Sequence, residues 1–203
     1  MSIEILLAFV LASTLIELTP GPNMAYLALI SLGEGRRAGF LTVTGIALGL
    51  AVIGTISALG LAGIVSGSPL AYEILRWSGV AFLLYLAFDA WKSGETEAAE
   101  HTASSHFRRG LITNLLNPKA ALFFITVIPA FLPQRADDVS ANLVLVAIYV
   151  AVATVIHGAI VLLAGALTPY LTDPARATRM RRTMAVLLAC VAIWFGLSTA
   201  NSA

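Results

Sequence analysis

The sequence has few charged residues and one cysteine, and these two shortages exclude several classes of protein. Charged residues make up 11% of the 203 positions, whereas hydrophobic residues make up 59%. Soluble domains carry about a quarter charged residues, so the composition predicts an integral membrane protein. Because Cys190 has no second cysteine in this chain, an intramolecular disulfide, a multi-cysteine metal site and a paired-thiol electron carrier are excluded.

The sequence also lacks a basic N-terminus, a long polar segment and a large net charge. No small-residue cleavage site follows the first apolar run, so we expect a retained membrane span and not a secretory signal. The net charge of +1 gives no indication of nucleic-acid binding, and we expect no nucleic-acid partner. The longest polar stretch predicts a short cytoplasmic linker and no soluble domain.

Apolar runs predict an all-α membrane protein with six transmembrane helices. A membrane helix needs about 20 apolar residues. The predicted helices cover roughly 3–31, 38–63, 70–91, 110–132, 142–167 and 183–200. We expect one transmembrane domain over 1–203, with a first half at about 1–92, a linker at about 93–109 and a second half at about 110–203.

A proline-rich stretch that begins at Glu17 interrupts the first predicted helix. It reads Glu17-Leu18-Thr19-Pro20-Gly21-Pro22-Asn23. Each proline lacks a backbone N–H and crowds the carbonyl one turn back, so a regular helix cannot pass through it. Irregular backbone at membrane depth is tolerated only where protein or a water-filled cavity covers it. With a carboxylate beside the break, the stretch favours a transport site; a proline kink used for packing is the alternative.

A second polar break opens the second half of the chain. It contains Asn114, Asn117, Pro118 and Lys119. Because each half has three helices and a broken first helix, the pattern predicts two inverted repeats that face opposite ways across the bilayer. Asn117 before Pro118 has the order of a helix N-cap followed by proline at the first helical position. Helices that resume after the two breaks would present N–H donors and a positive dipole end to a carboxylate.

Polar groups at membrane depth are the candidate site residues. A lone buried charge is costly, so we expect Lys119 to meet a carboxylate, Glu17 or Asp89, or an anionic ligand. His157 is a candidate proton carrier or a structural hydrogen-bonding group, and Asp89 is alternatively a solvated acid at a helix end. The candidate substrate and coupling residues are Glu17, Thr19, Pro20, Gly21, Pro22, Asn23, Asp89, Asn114, Asn117, Pro118, Lys119 and His157. We expect neither a metal site nor a cofactor.

Lysine and arginine are concentrated in the loops that follow predicted helices one, three and five. These residues are Arg36, Arg37, Lys92, Arg108, Arg109, Arg176, Arg179, Arg181 and Arg182. On the opposite side we find only Arg76 and Arg135. The positive-inside rule therefore places the odd-numbered loops in the cytoplasm and both termini outside.

Glycines four apart in predicted helix two, such as Gly45 and Gly49, indicate close helix packing within the chain. The same face could serve a homodimer instead. His101 and His106 fall in the predicted linker, where we expect them to be solvated.

Several motifs, in this order, resemble those of the lysine-exporter superfamily. They are Thr19-Pro20-Gly21-Pro22-Asn23, Gly35-Arg36-Arg37-Ala38-Gly39 leading into Gly45-Ile-Ala-Leu-Gly49, Gly79-Val-Ala-Phe-Leu-Leu-Tyr-Leu86, and Asn117-Pro118-Lys119-Ala120 followed by Phe123-Phe124. The resemblance covers essentially the whole chain and is greatest for the branch of homoserine, threonine and leucine exporters. The chain departs from the family at Ala87, where glycine is expected, and this change bears on substrate choice.

The resemblance implies a bacterial inner-membrane exporter of amino acids or close derivatives that is driven by the proton-motive force and is not an enzyme. By motif it implies functional roles for Pro20 to Asn23 and for Asn117 to Lys119. We expect a neutral amino acid to bind between the two breaks. Glu17 would couple protons or bind the ammonium group, and Lys119 would bind the carboxylate or pair with Glu17 in the empty state.

Other functions remain open at this point. The chain could export another small metabolite or a cation, or serve as a structural membrane subunit. An intramembrane hydrolase is a further alternative, but neither a Gly-x-Ser-x-Gly nor a His-Glu-x-x-His element occurs in the sequence.

Overall fold

The computed structural model describes residues 1–19, 21–59, 68–92, 102–132, 139–166 and 173–198. All regular structure in these ranges is helical, as predicted. The helices are α1 (Ile3–Leu18), α2 (Pro22–Ala58), α3 (Pro69–Lys92), α4 (Ala103–Leu115), α5 (Pro118–Phe131), α6 (Val139–Ala166) and α7 (Pro174–Ser198). Within α5, the segment Phe123–Val127 forms a π-helical turn.

Both predicted helix breaks are present. α1 ends at Leu18 and α2 begins at Pro22, while α4 ends at Leu115 and α5 begins at Pro118. The α4 and α5 axes meet at 51°. α4 begins at Ala103, earlier than the predicted start at 110, because its first turns are amphipathic and a search for apolar runs does not detect them.

α2 combines two predicted helices. It contains the end of the first, predicted at 3–31, and the second, predicted at 38–63, as far as Ala58. The run of 37 residues is interrupted at Gly35, which has φ 88° and ψ 176°. This conformation is essentially restricted to glycine because it has no Cβ. Gly35 therefore makes the turn that the sequence predicts between 31 and 38.

Three helices, α2, α3 and α6, are long and apolar enough to cross a membrane, and the bent α4–α5 pair would make a fourth span. α1 has only 16 residues because it ends at the break. The first turns of α7 carry four arginines, so its apolar part is short. Large apolar side chains such as Leu7, Val155 and Leu163 lie exposed on the outer surface, as lipid contact requires.

α2 is the central helix and packs most extensively against α4 and α6, while α3 packs against α7 and α1 against α6. Glycines allow the backbones of α2 and α4 to touch. A Cβ added at Gly45 would lie 2.1 Å from the Phe107 carbonyl oxygen, and one at Gly110 would lie 2.3 Å from the Thr42 oxygen. The predicted glycine packing therefore occurs within the chain and brings the second break against α2.

Candidate functional site

A small cavity lies where the two helix breaks meet α6. Its lining residues are Glu17, Gly21, Pro22, Asn23, Met24, Leu50, Asn117, Lys119, Ala120, Tyr149 and His157. The volume of about 10 Å³ suits one water molecule. Ligand pockets usually measure about 300–1,000 Å³, so this conformation is closed to an amino acid.

Lys119 crosses from the second break to the first. Its Nζ donates to the Ile16 carbonyl oxygen at 2.8 Å and to the Thr19 carbonyl oxygen at 2.9 Å. In a regular helix the Ile16 carbonyl would accept from residue 20, but Pro20 has no N–H. The ammonium group thus adds a donor at the break, where, among the described residues, the Ile16 oxygen otherwise accepts only from the Thr19 backbone N–H at 3.1 Å. Lys119 was expected to meet a carboxylate, Glu17 or Asp89, or an anionic ligand; the hydrogen bonds of its Nζ in this structure go to two carbonyl oxygens of the broken helix.

Glu17 also lines the cavity and is buried, with 6% of its surface exposed. The Tyr149 hydroxyl donates to its Oε1, and the Nε2 atom of His157 lies 3.3 Å from its Oε2. The Tyr149 ring stacks on Phe123 with centroids 3.7 Å apart, which holds the hydroxyl in place. Glu17 therefore faces two α6 side chains that can exchange a proton or a hydrogen bond with it.

A pair of asparagines joins the two breaks. The Asn23 Nδ2 donates to the Asn114 Oδ1 at 3.0 Å. A Cβ at Gly49 would lie 2.9 Å from the Asn114 amide, so glycine at this position makes room for the pair. Since both asparagines are buried, this contact fixes the start of α2 against the end of α4.

Two helix N-termini border the cavity. The Asn117 Oδ1 accepts from the Lys119 backbone N–H at 3.0 Å, so the predicted N-cap of α5 is present. At the start of α2, Gly21 has no side chain for capping and Pro22 has no N–H. The positive dipole ends of α2 and α5 and the Lys119 ammonium group therefore make one side of the cavity attractive to an anion.

Most of the predicted site residues lie together, but Asp89 does not. Thr19 contributes its carbonyl oxygen to Lys119, and Pro118 is the first residue of α5. Asp89 lies outside the cavity lining, where an Oδ2 contact of 2.8 Å pairs it with Arg109 of α4. Pro20 lies outside the described residues.

A second polar cluster lies between the Gly35 turn of α2 and the start of α4. The His106 Nε2 is 3.5 Å from the Glu34 Oε2. His106 is 5% exposed, so the expectation that it is solvated was wrong. The cause is the early start of α4, which places His106 against α2. His101 lies outside the described residues.

Tyr149 is the cavity residue that the sequence interpretation missed. It lies two helical turns before His157, and a spacing of eight residues places both on the same face of α6. This periodicity was the available signal. A tyrosine in an apolar run is usually a packing residue, so the spacing alone did not identify it.

Comparison with known proteins agrees with the motifs. A family model described as LysE type translocator matches residues 14–202. A homoserine/homoserine lactone efflux protein of Salmonella typhimurium is 30% identical over 150 residues, which cover 71% of this chain and 73% of that protein. The protein of the same description from Salmonella typhi is 29% identical over the same shares. A Vibrio cholerae protein described as an uncharacterized membrane protein is 27% identical over 187 residues, 90% of this chain and 91% of its own. No solved structure gives a significant match.

Proposed function

The chain belongs to the LysE type translocator family, and from this premise we propose that it exports neutral amino acids or close derivatives of the homoserine type. Transport would run out of the cytoplasm across a bacterial inner membrane and be driven by the proton-motive force. The observation that carries this proposal is the charge of the groups that line the closed cavity. A cation, two positive helix ends and a buried carboxylate all line it.

The positive side suits the substrate carboxylate. In the closed conformation the Lys119 ammonium group is held by two backbone oxygens, which are neutral acceptors. A carboxylate is a stronger partner than a neutral carbonyl oxygen because it adds the Coulomb attraction of a full negative charge. We propose that an arriving substrate replaces the Ile16 and Thr19 oxygens and receives further bonds from the first N–H groups of α2.

The negative side suits the ammonium group and the coupled proton. An ionised Glu17 would form an ion pair with the substrate ammonium group, whereas a protonated Glu17 would offer only a hydrogen bond to a neutral acid and so favour release. His157 and Tyr149 lie within reach of the same carboxylate. We propose that Glu17 and His157 exchange the proton that couples substrate release to the proton gradient.

The fold that we propose around this site has six spans. α1 with the first part of α2, and α4 with α5, are the two broken helices that begin the two halves. Related by an axis in the membrane plane, such halves would rock around the fixed breaks and expose the cavity to each side in turn. The closed volume of about 10 Å³ is consistent with an occluded state of this cycle.

Export from living cells tests the proposal. Cells that express the chain are loaded with dipeptides of single amino acids, and free amino acid is followed inside and outside. We expect faster efflux of one or a few neutral amino acids, which a protonophore abolishes. Efflux that resists the protonophore would refute the energy source, and no efflux for any amino acid would refute the substrate class.

Variants that remove one charge each test the proposed roles of Lys119 and Glu17. Lys119→Ala removes a charge-assisted bond, so we expect transport to fall roughly 10- to 100-fold. We expect Glu17→Gln to abolish coupling to the proton gradient. The matched controls are Lys92→Ala at an exposed helix end and Glu4→Gln in the exposed first turn of α1. Variants are compared at equal amounts of folded protein in the membrane.

Homoserine lactone is a second candidate substrate, because the Salmonella relatives are named for efflux of both compounds. A lactone has an amine but no free carboxylate. If both are carried, Lys119→Ala should impair homoserine export much more than lactone export, while Glu17→Gln should impair both. Equal loss of both substrates in Lys119→Ala would contradict the assignment of Lys119 to the carboxylate.

A further inference from the structure

The C-terminal end of α1 holds an ammonium group that comes from another helix. The Nζ atom of Lys119, in α5, lies 2.8 Å from the Ile16 carbonyl oxygen and 2.9 Å from the Thr19 carbonyl oxygen. Ile16 is in the last turn of α1, and Thr19 is its C-cap. Both oxygens accept a hydrogen bond from the nitrogen, so this end of α1 binds a primary ammonium group in the structure itself.

The charge at the helix ends explains why a cation lies there. The last carbonyls of a helix lack intrahelical donors and carry the negative end of its dipole. α1 has no basic side chain in its last turn, so Lys119 supplies a positive charge from α5. A few residues further on, α2 begins at Pro22, and its first residues line the cavity. The break thus places a negative and a positive helix end close together, which is the complement of an amino acid's two charges.

The proposed transport step takes the cation away from the end of α1. When Lys119 moves to the substrate carboxylate, the Ile16 and Thr19 oxygens lose their charged donor. The negative helix end is then uncompensated at membrane depth, where few other donors are present, so the step needs a replacement cation. The substrate brings one, because its ammonium group has the same chemistry as the lysine head group. Its three N–H groups match the two carbonyl oxygens and the carboxylate of Glu17, which lines the same cavity.

We propose that the Ile16 and Thr19 carbonyl oxygens form the ammonium subsite of the transport site, and that Lys119 occupies this subsite as a built-in ligand until a substrate displaces it. The identity of the substrate comes from the proposed function, on which this proposal rests, whereas the two oxygens and their bound ammonium group belong to the structure. A substrate exchanges partners with Lys119: its carboxylate takes the lysine ammonium group, and its own ammonium group takes the carbonyl oxygens.

An alkali cation is the alternative ligand for these oxygens. Backbone carbonyls at helix breaks coordinate Na⁺ in some transporters. The group that binds here is an ammonium group, which donates through separate N–H bonds in fixed directions. The observed contacts therefore favour a primary amine over a spherical ion.

Chemical rescue of a shortened side chain tests the subsite. Lys119→Ala removes from the side chain the atoms of one n-propylammonium ion, so this cation can restore the missing group without a covalent bond. The purified full chain in neutral detergent is unfolded by heat with n-propylammonium or with 1-propanol at the same concentration. Lys119→Ala should melt below the wild type, and n-propylammonium at about ten times its Kd should raise the Tm by roughly 3–6 °C. The uncharged 1-propanol should not.

Lys119→Met is a second variant that keeps most of the side chain and lacks only the terminal ammonium group. We expect the ammonium ion to stabilise it more than n-propylammonium does, which reverses the order for Lys119→Ala. The control is Lys92→Ala, which removes the other lysine of the sequence at the exposed end of α3. Neither cation should stabilise this variant, and neither should stabilise the wild type, in which Lys119 fills the subsite.

Competition tests whether the substrate ammonium group uses the same oxygens. Homoserine lactone has an amine, which is protonated at about pH 6, and no free carboxylate. In Lys119→Ala it should displace n-propylammonium, so the apparent Kd of n-propylammonium should rise in proportion to the lactone concentration. γ-Butyrolactone has the same ring without the amine and should leave that Kd unchanged.

Three results would overturn the proposal. If n-propylammonium stabilised Lys119→Ala no more than 1-propanol does, the end of α1 would not be an ammonium site. Stabilisation by sodium chloride as large as that by n-propylammonium would show a site for simple cations. Additive stabilisation by the lactone and n-propylammonium would show that the substrate ammonium group lies elsewhere.

The rescue and the export measurement fail independently of each other. Rescue by n-propylammonium without export of any amino acid would support the ammonium subsite and refute the proposed substrate class. Export of amino acids without rescue in either Lys119 variant would refute the subsite and leave the exporter standing.

Discussion

Glu17 is the buried carboxylate of the cavity, and two side chains of α6 approach it. An uncompensated buried carboxylate costs several kcal/mol, so its neighbours decide whether it can stay ionised. Tyr149 donates to one oxygen, and His157 lies 3.3 Å from the other. Because both partners come from α6, any motion of α6 relative to α1 changes the environment of the carboxylate. We therefore propose that the charge of Glu17 is linked to helix movement.

We expect Tyr149→Phe to weaken both stability and transport. The change removes the hydroxyl donor to Glu17 but keeps the ring that stacks on Phe123. Loss of one partner of a buried charged acceptor should lower the free energy of unfolding by about 1–3 kcal/mol. Unfolding in detergent and efflux at equal expression measure the two effects. Tyr85→Phe is the control, since Tyr85 is 53% exposed; equal results for both variants would contradict a role for the hydroxyl.

The asparagine pair should behave as one interaction. Asn23→Ala and Asn114→Ala each remove one side of a single buried hydrogen bond, so the double variant should cost less than the sum of the single variants. We expect a coupling energy of about 1 kcal/mol from unfolding in detergent. Asn23→Ala combined with Thr126→Ala, which is exposed, provides an additive control. Additivity in the asparagine cycle would mean that the bond does not join the breaks in the membrane.

At the scale of helices, glycine sets how closely α2 and α4 approach. We expect Gly45→Ala to destabilise the protein by about 1–3 kcal/mol, as overpacking does. The added Cβ would lie 2.1 Å from a backbone oxygen of Phe107, which cannot rotate away. Unfolding in detergent gives the measurement.

Gly33→Ala is the matched control for the packing of α2. It lies in the same helix, and a Cβ there would meet nothing within 4 Å. Alanine is favoured over glycine in a helix interior by up to about 1 kcal/mol, so this variant should be neutral or slightly more stable. If Gly45→Ala proved as harmless as Gly33→Ala, this result would contradict the close approach of the α2 and α4 backbones at Gly45.

The positions of the breaks were predictable from the sequence, but their partners were not. Proline chemistry is local, because a proline lacks a backbone N–H and is tolerated at the first position of a helix, so Leu18 and Pro118 fall where expected. Lys119 and the Ile16 oxygen are separated by 103 positions along the chain. Only the packing of the two halves brings them together, and a residue pattern carries no information about that approach. The same reason explains why Asp89 was assigned to the cavity and instead lies beside Arg109.

The sequence interpretation also failed where a helix begins with polar residues. The start of α4 is mostly polar, so His106 was taken as part of a solvated linker. Its burial against Glu34 arises from the contact of α4 with the Gly35 turn. A search for helical periodicity in place of apolar runs would detect this turn of helix.

At the scale of the whole molecule, the described basic segments lie at one end of the helix bundle. The Arg36 guanidinium donates to the Leu162 carbonyl oxygen near the end of α6, and Arg109 at the start of α4 pairs with Asp89 near the end of α3. Arg182 at the start of α7 lies over Trp91 at the end of α3. Arg36, Arg109 and Arg182, which belong to three different predicted loops, thus lie on one surface.

The position of this surface predicts the orientation of the chain. Basic loops remain in the cytoplasm, so both termini should lie outside. A C-terminal alkaline phosphatase fusion should be active, because the enzyme folds only outside the cytoplasm, and a C-terminal green fluorescent protein should be dark. A fusion that ends the chain in the linker between α3 and α4 is the control and should give the opposite pair of signals. A fluorescent C-terminus would invert the proposed topology and place the basic loops outside.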